Sequence, residues 1–319
     1  MLDVASEVLK AEKRIREYIR ETPLEYSPFL SKKGNANVCL KLENFQVTGS
    51  FKIRGVFNKL LSLSEEERKK GLVTASSGNH GVAFAYATTL LGLKGIVFLP
   101  KNASQAKVQD IGQYKVELRF YGDDVAKTEE FARKFADENG MTYVPPYNDL
   151  KIIGGQGTIA IELERQLEEI DAVLVPVGGG GLISGIAGYL KEKAENVEII
   201  GVQPENSAVM YHSIKAGRII EMESKPTLAD GTAGGIEENS ITFELCKRYV
   251  DDFVLVSEKE IAGAIVLMLE KHHMLIEGAA ALPVAAYLKE LKRFRDKNVA
   301  LVISGCRISV DTLRKILKC

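Results

Sequence analysis

Short, wholly apolar runs alternate along the chain with longer segments in which apolar residues recur every three or four positions. The short runs are typical of β-strands buried on both faces, and the longer segments are typical of the helices that cover them. This alternation predicts an α/β fold with parallel-rich, twisted sheets covered by helices. The strands are predicted at residues 72–75, 95–99, 116–121, 172–177, 198–202 and 299–303.

Helices are predicted where the apolar period is close to 3.6 residues. At the N-terminus, residues 3–19 place apolar positions on one stripe with charged positions between them. Ser257 and Glu260 form a capping-box pattern that opens a helix extending to about residue 271. Further helices are predicted at residues 78–91, 102–113, 123–139, 156–168 and 182–193.

The length of the chain and one proline-containing segment indicate a division into two lobes. With 319 residues, 45% of them hydrophobic, it can form a full core and two α/β lobes. Residues 142–153 contain two consecutive prolines before a glycine-rich turn, and are predicted to cross between the lobes. We expect a large domain at residues 1–71 and 148–319, and a small mobile domain at residues 72–147. Residues 221–240 are predicted to form a long loop near the site.

Charge and cysteine content argue against several classes of protein. The 42 Lys and Arg residues nearly balance the 43 Asp and Glu residues, so no basic field favours a nucleic acid or an anionic membrane. No apolar run is long enough to cross a bilayer. The four cysteines lack the spacing of zinc ligands, and are expected to be reduced thiols in a cytoplasmic protein.

Four consecutive glycines, Gly178–Gly181, separate a predicted buried strand from a helix. Glycine lets backbone N–H groups turn inward, and the helix start adds its positive end, so this junction suits a phosphate group. A tight turn without a ligand is the simpler alternative. A dinucleotide site is disfavoured, because the G-x-G-x-x-G spacing fails in both registers, at Ile183 and at Ser184.

Lys52 stands between Phe51 and Ile53, near the start of a predicted helix. Apolar neighbours and a positive helix end both disfavour the ammonium form, so the pKa of Lys52 is expected to be depressed. A neutral amine is the form that Schiff-base chemistry requires. Taken alone, the position is explained as well by an ordinary exposed lysine.

Two further polar segments follow predicted strands, where ligands bind in open α/β sheets. Ser76, Ser77, Asn79 and His80 lie at a strand-to-helix turn whose N–H groups and hydroxyls suit a carboxylate. Ser304 follows the last predicted strand. By themselves, these residues are explained as well by a helix cap, a structural histidine and an ordinary turn.

Together, the four elements resemble the fold-type II pyridoxal-phosphate enzymes, which have the two-lobed fold of the tryptophan synthase β subunit. Residues 43–55 (ENFQVTGSFKIRG), 176–182 (PVGGGGL) and 228–231 (LADG) carry the resemblance, which covers nearly the whole chain. Within that group the chain is most similar to the threonine dehydratase and serine racemase branch. The resemblance implies pyridoxal 5'-phosphate as the cofactor, bound by the large domain.

The resemblance also implies roles for individual residues. Lys52 is expected to bind the cofactor as a Schiff base and to act as the base at Cα, with Phe51 beside the ring. Asn79 is expected at the phenolic oxygen of the cofactor, and Ser304 at its pyridine nitrogen. The phosphate is expected to lie on a loop formed by Gly178, Gly179, Gly180 and Gly181, followed by Leu182.

The substrate carboxylate is expected to bind the turn that contains Ser76, Ser77, Asn79 and His80. In serine racemases, the serine at the position of Ser77 acts as a second acid/base on the cofactor face opposite the lysine. That position keeps racemisation chemically possible. The alternative is that Ser77 only caps the helix beginning near residue 78.

The implied reaction is elimination of water from L-threonine and L-serine, giving ammonia and 2-oxobutanoate or pyruvate, in amino-acid catabolism or isoleucine biosynthesis. A serine at the pyridine nitrogen leaves the ring neutral, and a neutral ring suits elimination better than a long-lived carbanion. The resemblance implies a homodimer or homotetramer. The alternatives are a serine racemase with dehydratase side activity and, from a different class, a non-catalytic ligand-binding module.

The sequence departs from the family pattern after Ser304, where Cys306 and Arg307 replace the usual Gly-Asn. No metal is expected, because the positions of acidic ligands in mammalian-type serine racemases hold Gln203 and Val209. The chain ends about 15 residues after Ser304. A C-terminal regulatory domain is therefore not expected, which favours a catabolic-type enzyme.

Overall fold

The computed structural model describes residues 2–194 and 196–318, which form two β-sheets. In chain order, the strands are β1 (Leu24–Tyr26), β2 (Asn37–Lys41), β3 (Leu72–Ala75), β4 (Gly95–Leu99), β5 (Glu117–Phe120), β6 (Thr142–Tyr143), β7 (Ala172–Pro176), β8 (Glu198–Pro204), β9 (Asp252–Val256) and β10 (Asn298–Val302). One sheet has the order β1-β2-β10-β7-β8-β9, and the other has the order β5-β4-β3-β6. These strands pair in parallel, except that β1 is antiparallel to β2.

Helices pack on both faces of the two sheets. In chain order, they are α1 (Val4–Ile15), α2 (Pro28–Gly34), α3 (Lys52–Ser62), α4 (Glu65–Lys70), α5 (Asn79–Leu90), α6 (Gln105–Gly112), α7 (Val125–Glu138), α8 (Leu150–Gln166), α9 (Gly181–Lys193), α10 (Val209–Ala216), α11 (Ile241–Tyr249), α12 (Glu258–His272), α13 (Gly278–Lys289) and α14 (Val310–Leu317). Within the described ranges, no helix is both long enough and apolar enough to cross a membrane.

The predicted α/β class is confirmed, and β7 shows the physical reason for the pattern. Ala172 and Leu174 enter the core on one face of the six-stranded sheet, while Val173 and Val175 enter the core on the other. A strand that is buried on both faces must be apolar throughout. All six predicted strands are present, with ends shifted by two residues at most.

Two predicted helices have an end that lies four or more residues from its predicted position. The N-terminal helix α1 ends at Ile15 rather than at residue 19, and the N–H of Tyr18 bonds the Ile15 carbonyl in the turn that follows. Helix α8 begins at residue 150 rather than 156, because the Asp149 carboxylate accepts hydrogen bonds from the N–H groups of Lys151 and Ile152. The segment predicted to cross between lobes therefore contains a short strand and the start of a helix.

The core beneath the four-stranded sheet extends beyond the strands at residues 72–143. Ile53, Val56 and Phe57 of α3 pack in the same cluster as Leu72 and Val82. Helix α3 also packs along α8, beside the six-stranded sheet. It therefore joins the two cores, and the domain boundary at residues 71–72 stays a prediction.

A fully buried ionic cluster fixes the helix that carries Lys52. Lys41, Glu43, Arg54 and Glu162 have no exposed side-chain surface. The Arg54 guanidinium lies 2.8 Å from Glu43 Oε1 and 2.7 Å from Glu162 Oε1, and Lys41 Nζ lies 2.6 Å from Glu162 Oε2. Burial alone would raise the pKa of Glu162, but Arg54 and Lys41 lower it to about 2. The cluster links β2, α3 and α8. Its Arg54 lies only two residues after Lys52, so the start of α3 is held in place.

Candidate active site

The candidate site lies where the segment before α3 meets the loop after β10. Ser50 forms an isolated antiparallel bridge with Gly305, and the N–H of Phe51 donates to the Ser304 carbonyl over 3.1 Å. These contacts bring Lys52 beside Ser304, although about 250 residues of chain separate them. The structure therefore brings together two of the predicted site residues.

Lys52 is the first residue of α3, and its side chain is half-buried. Its Nζ donates to the Pro146 carbonyl over 2.8 Å and lies 5.2 Å from the centre of the Phe51 ring. Burial lowers the pKa of Lys52 to about 8, against the opposing effect of Glu129 and Glu277. Near neutral pH, roughly a tenth of this amine is therefore uncharged, far more than for an ordinary lysine, and the uncharged form is the nucleophile.

The glycine run forms the junction between β7 and α9. Gly180 has a φ of +84°, a left-handed conformation that favours glycine. A Cβ on Gly179 would lie 2.5 Å from the ring of Tyr147, and one on Gly178 would lie 3.0 Å from Thr232. Gly181 opens α9, and the first N–H groups of a helix have no partner within it. The junction therefore fits a phosphate group.

Several buried polar atoms around Lys52 have no hydrogen-bond partner among the described residues. They include Ser304 Oγ, Asn79 Oδ1, Ser50 Oγ and Thr48 Oγ1. Leaving such an atom buried and unpaired costs about 1–3 kcal/mol. Unpaired atoms on Ser304 and Asn79 fit a polar aromatic ring such as that of pyridoxal phosphate.

Asn79 begins α5 and bonds a carboxylate that no sequence motif indicated. Its Nδ2 lies 3.0 and 2.9 Å from the two carboxylate oxygens of Glu277. Burial raises the pKa of Glu277 to about 7, and the Asn79 amide and the backbone N–H of Arg307 oppose that rise. Glu277 precedes α13, so this contact spans the space between the two sheets.

His80 acts as a structural brace beside Lys52. It is 3% exposed, and its Nε2 donates to the Val144 carbonyl over 3.1 Å. Burial, with a further contribution from Lys52, lowers the pKa of His80 to about 3, so the ring is neutral. The ring thereby holds the backbone just before Pro146, whose carbonyl accepts from Lys52. Its expected role at the substrate carboxylate stays a prediction.

The structure excludes the alternative in which Ser77 only caps helix α5. The N-cap of α5 is Gly78, which has no side chain, and the N–H of Gly78 donates to Ser76 Oγ over 3.2 Å. Ser77 therefore does not cap the helix. Its side chain is half-buried.

The two departures from the family pattern are accommodated around Gly49. The N–H of Cys306 donates to the Gly49 carbonyl over 3.1 Å, and Gly49 has a φ of +75°. The Arg307 guanidinium bonds Asp110 of α6 and, over 3.3 Å, the Thr48 carbonyl. Cys306 and Arg307 therefore bind neighbouring segments.

Gln203 and Val209, at the positions of metal ligands in mammalian-type serine racemases, contact other parts of the protein. Gln203 Nε2 donates to the Val177 carbonyl over 3.2 Å, and its Oε1 accepts from the N–H of Tyr211 over 2.8 Å. Val209 is buried. Across the described residues, no group of three or more His, Cys, Asp and Glu side chains could hold a metal ion.

Comparison with known proteins assigns the family. A family model described as "Pyridoxal-phosphate dependent enzyme" matches residues 15–305. The chain belongs to this family. The cofactor is therefore pyridoxal 5'-phosphate, and Lys52, the glycine run, Asn79 and Ser304 offer the groups that would hold it.

Individual relatives narrow the comparison. The chain is 41% identical to the L-threonine ammonia-lyase of Thermotoga maritima over 311 residues, which is 98% of this chain and 77% of that protein. Processed threonine deaminase isoform 2 from Solanum lycopersicum superposes with a TM-score of 0.94 at 32% identity, covering 99% of this chain and 92% of that one. Maize serine racemase superposes with a TM-score of 0.92 at 30% identity, covering 98% and 96%.

Proposed function

We propose that this protein deaminates L-threonine, and also L-serine, by eliminating water, and releases ammonia with 2-oxobutanoate or pyruvate. The observation that carries the proposal is the Lys52 amine, with a pKa of about 8, together with the polar atoms of Asn79 and Ser304 that have no partner in the described part of the chain. Similarity to a threonine ammonia-lyase over 98% of the chain supports the same reaction.

Pyridoxal phosphate, when bound, is an electron sink that acidifies the Cα proton of an amino acid. Lys52 would hold the cofactor and would then supply the base for that proton, because its pKa of about 8 is close to neutral pH. Ser304 would be a neutral donor for the pyridine nitrogen, and Asn79 would bond the phenolic oxygen. The N–H groups of the glycine run, with Leu182 following, would bind the phosphate.

The substrate is oriented by the turn at the start of α5. Ser76, Ser77, Asn79 and His80 surround N–H groups at a helix N-terminus, where a carboxylate is stabilised. Tyr147 packs against Gly179 and accepts from the N–H of Glu237 over 2.9 Å. This contact joins the phosphate loop to the long loop predicted near the site.

Product analysis tests the reaction. The purified holoenzyme is incubated separately with L-threonine, L-serine and D-serine, and keto acid, ammonia and both serine enantiomers are measured. We expect equal amounts of keto acid and ammonia from the L-substrates. A protein without bound cofactor or turnover would support the non-catalytic alternative instead.

Serine racemisation is the second candidate, and the position of Ser77 favours it as a slow side reaction. Because Ser77 does not cap α5, its hydroxyl is available as an acid/base. Ser77→Ala is expected to abolish D-serine formation from L-serine and to leave 2-oxobutanoate formation largely intact. In the wild type, D-serine forming faster than pyruvate would make racemisation the main activity. Loss of both reactions in the variant would assign Ser77 to substrate binding.

The proposal extends to the setting of the enzyme. We infer a cytoplasmic, catabolic-type homodimer or homotetramer in which residues 72–147 move relative to the rest. Free thiols at Cys39, Cys246 and Cys306 agree with a reducing compartment. Size-exclusion chromatography with light scattering measures the oligomeric state directly.

A further inference from the structure

Glu277 is a buried carboxyl group directly before α13. It is 5% exposed, and its Oε2 accepts from the backbone N–H of Arg307 over 3.0 Å. Its own N–H donates to the Gly305 carbonyl over 3.1 Å, and a Cβ on Gly305 would lie 2.7 Å from its Oε1. The carboxyl group is therefore fixed against the loop that carries Ser304.

The contact between Glu277 and Asn79 determines which atoms of the amide are free. With Nδ2 directed at both carboxylate oxygens, Oδ1 is the buried atom that lacks a partner among the described residues. A carboxylate only accepts hydrogen bonds, whereas a protonated carboxyl group can also donate one to an amide oxygen. Protonation of Glu277 would therefore allow the amide to turn by half a rotation, with its N–H groups toward the site.

We propose that Glu277 is the positioning residue for Asn79, and that its protonation state decides which end of the Asn79 amide faces the phenolic oxygen of the cofactor. This inference rests on the proposed function, in which Asn79 lies at that oxygen. An amide oxygen and an amide N–H group act on the phenolic oxygen in opposite ways. The absorbance of the bound cofactor therefore reports the titration of Glu277.

The charged groups around Glu277 place this titration near neutral pH. Burial raises its pKa to about 7, and the Asp230 carboxylate adds to the rise. The Asn79 amide, the Arg307 N–H and the Arg307 charge oppose it. Lys52 also interacts with Glu277 through its charge, and burial together with the charge of Glu277 raises the pKa of Cys306.

The test is the pH dependence of the cofactor absorbance, recorded on holoenzyme without substrate. The wild type is expected to show a transition with a midpoint near the Glu277 pKa of about 7. Glu277→Gln is expected to lose the transition while retaining the cofactor. Asn79→Ala is expected to lose it too, although Glu277 is still present. Asn79→Ala keeps the Glu277 carboxyl group. It therefore tests whether the transition depends on Asn79 even if Glu277→Gln does not fold.

Glu129→Gln is the matched control. Glu129 also acts on Lys52 through its charge, but its carboxylate bonds Arg133 and Tyr143 rather than Asn79. This variant is expected to keep the transition. A transition that survives in Glu277→Gln or in Asn79→Ala, or that is absent from the wild type, would overturn the inference.

A second readout separates this inference from the proposed function. Borohydride reduction followed by peptide mass spectrometry identifies the lysine that holds the cofactor. A cofactor on Lys52 with an unchanged transition in Glu277→Gln rejects only the positioning role. A cofactor on another lysine rejects the proposed site itself.

Discussion

Two nitrogen bases in the site, Lys52 and His80, have lowered pKa values for the same physical reason. Burial removes the water that stabilises a cation, so the pKa of each group falls, to about 8 and about 3. Their partners differ, because Lys52 also interacts with Glu129 and Glu277. Lys52 therefore titrates close to physiological pH, and His80 stays a neutral donor to the Val144 carbonyl.

The pH dependence of Lys52 reactivity follows from this difference. In cofactor-free protein, labelling of Lys52 by an amine-specific reagent is expected to rise with pH and to reach half its maximum near pH 8. An unperturbed lysine has a pKa of about 10.4 and reacts at higher pH. Peptide mass spectrometry of samples labelled at different pH values measures the extent of labelling at Lys52 and at the other lysines. Labelling of Lys52 that follows the bulk of the lysines would contradict a depressed pKa.

Ser304→Ala separates cofactor binding from catalytic turnover. The phosphate loop supplies most of the cofactor affinity, so the variant is expected to keep its cofactor absorbance. Loss of the hydroxyl at the ring nitrogen is expected to cost about 1–3 kcal/mol, or roughly five- to 150-fold in kcat. Steady-state kinetics with L-threonine measures this loss. An unchanged kcat would remove Ser304 from the mechanism.

Among the elements, helix α8 is predicted correctly as a helix, but its start is not. Glycines near its start favour a turn, so the sequence predicts a helix only from residue 156. In the structure, Gly155 lies against Arg54 and Gly55 of α3, and Gly157 lies against Gly185 of α9. A helix can carry glycine when two backbones must approach closely, and that need arises from packing that a single sequence does not display.

Glu162 tests the contribution of α8 to the buried ionic cluster. Glu162→Gln leaves Lys41 and Arg54 buried with less negative charge, and is expected to lower the free energy of unfolding by about 3–5 kcal/mol. Glu168→Gln, at an exposed position beyond the end of α8, is the control and is expected to change it by less than about 0.5 kcal/mol. Urea denaturation measures both variants. Equal stabilities would contradict the structural role of the cluster.

The same carboxylate predicts a pH dependence of stability. Its pKa is about 2 in the folded protein and about 4.3 in an unfolded chain, so its contribution is fully present above the unfolded value. The contribution is lost as the pH falls from about 5 toward 2. Glu162→Gln is therefore expected to show a weaker acid dependence of unfolding than the wild type, in denaturation curves recorded at several pH values.

At the scale of the whole molecule, α6 makes two ion pairs across the space between the sheets. Asp110 bonds Arg307 after β10, and Lys107 Nζ lies 3.2 Å from Asp230 in the loop after α10. Both pairs are partly exposed, so each contributes about 0–1 kcal/mol and weakens in salt. Both pairs would favour a closed arrangement of the small domain that we propose at residues 72–147.

Asp110→Asn tests this closing contact. The variant is expected to raise KM for L-threonine by about two- to fivefold, with a smaller change in kcat, because closure holds the substrate. The difference from the wild type is expected to shrink at high salt. Asp137→Asn, at an exposed position near the end of α7, is the control. An equal KM for both variants at low salt would argue against a role of the pair in closure.

The sequence predicted the elements of the site better than the contacts between them. Lys52, the glycine run, Asn79 and Ser304 lie in local motifs, so their residue types and spacing were visible. Glu277 stands 198 residues from Asn79, before a run of small residues, and carries no local signal. Such a contact depends on how two sheets face each other, which is decided by tertiary packing.

The identity of the lysine that holds the cofactor tests the proposed active site most directly. The holoenzyme is reduced with borohydride and digested, and the peptide that carries the reduced cofactor is sequenced by mass spectrometry. A single modified peptide is expected, with the cofactor on Lys52 Nζ. Modification of a different lysine, or a reduced protein with no modified lysine, would contradict it.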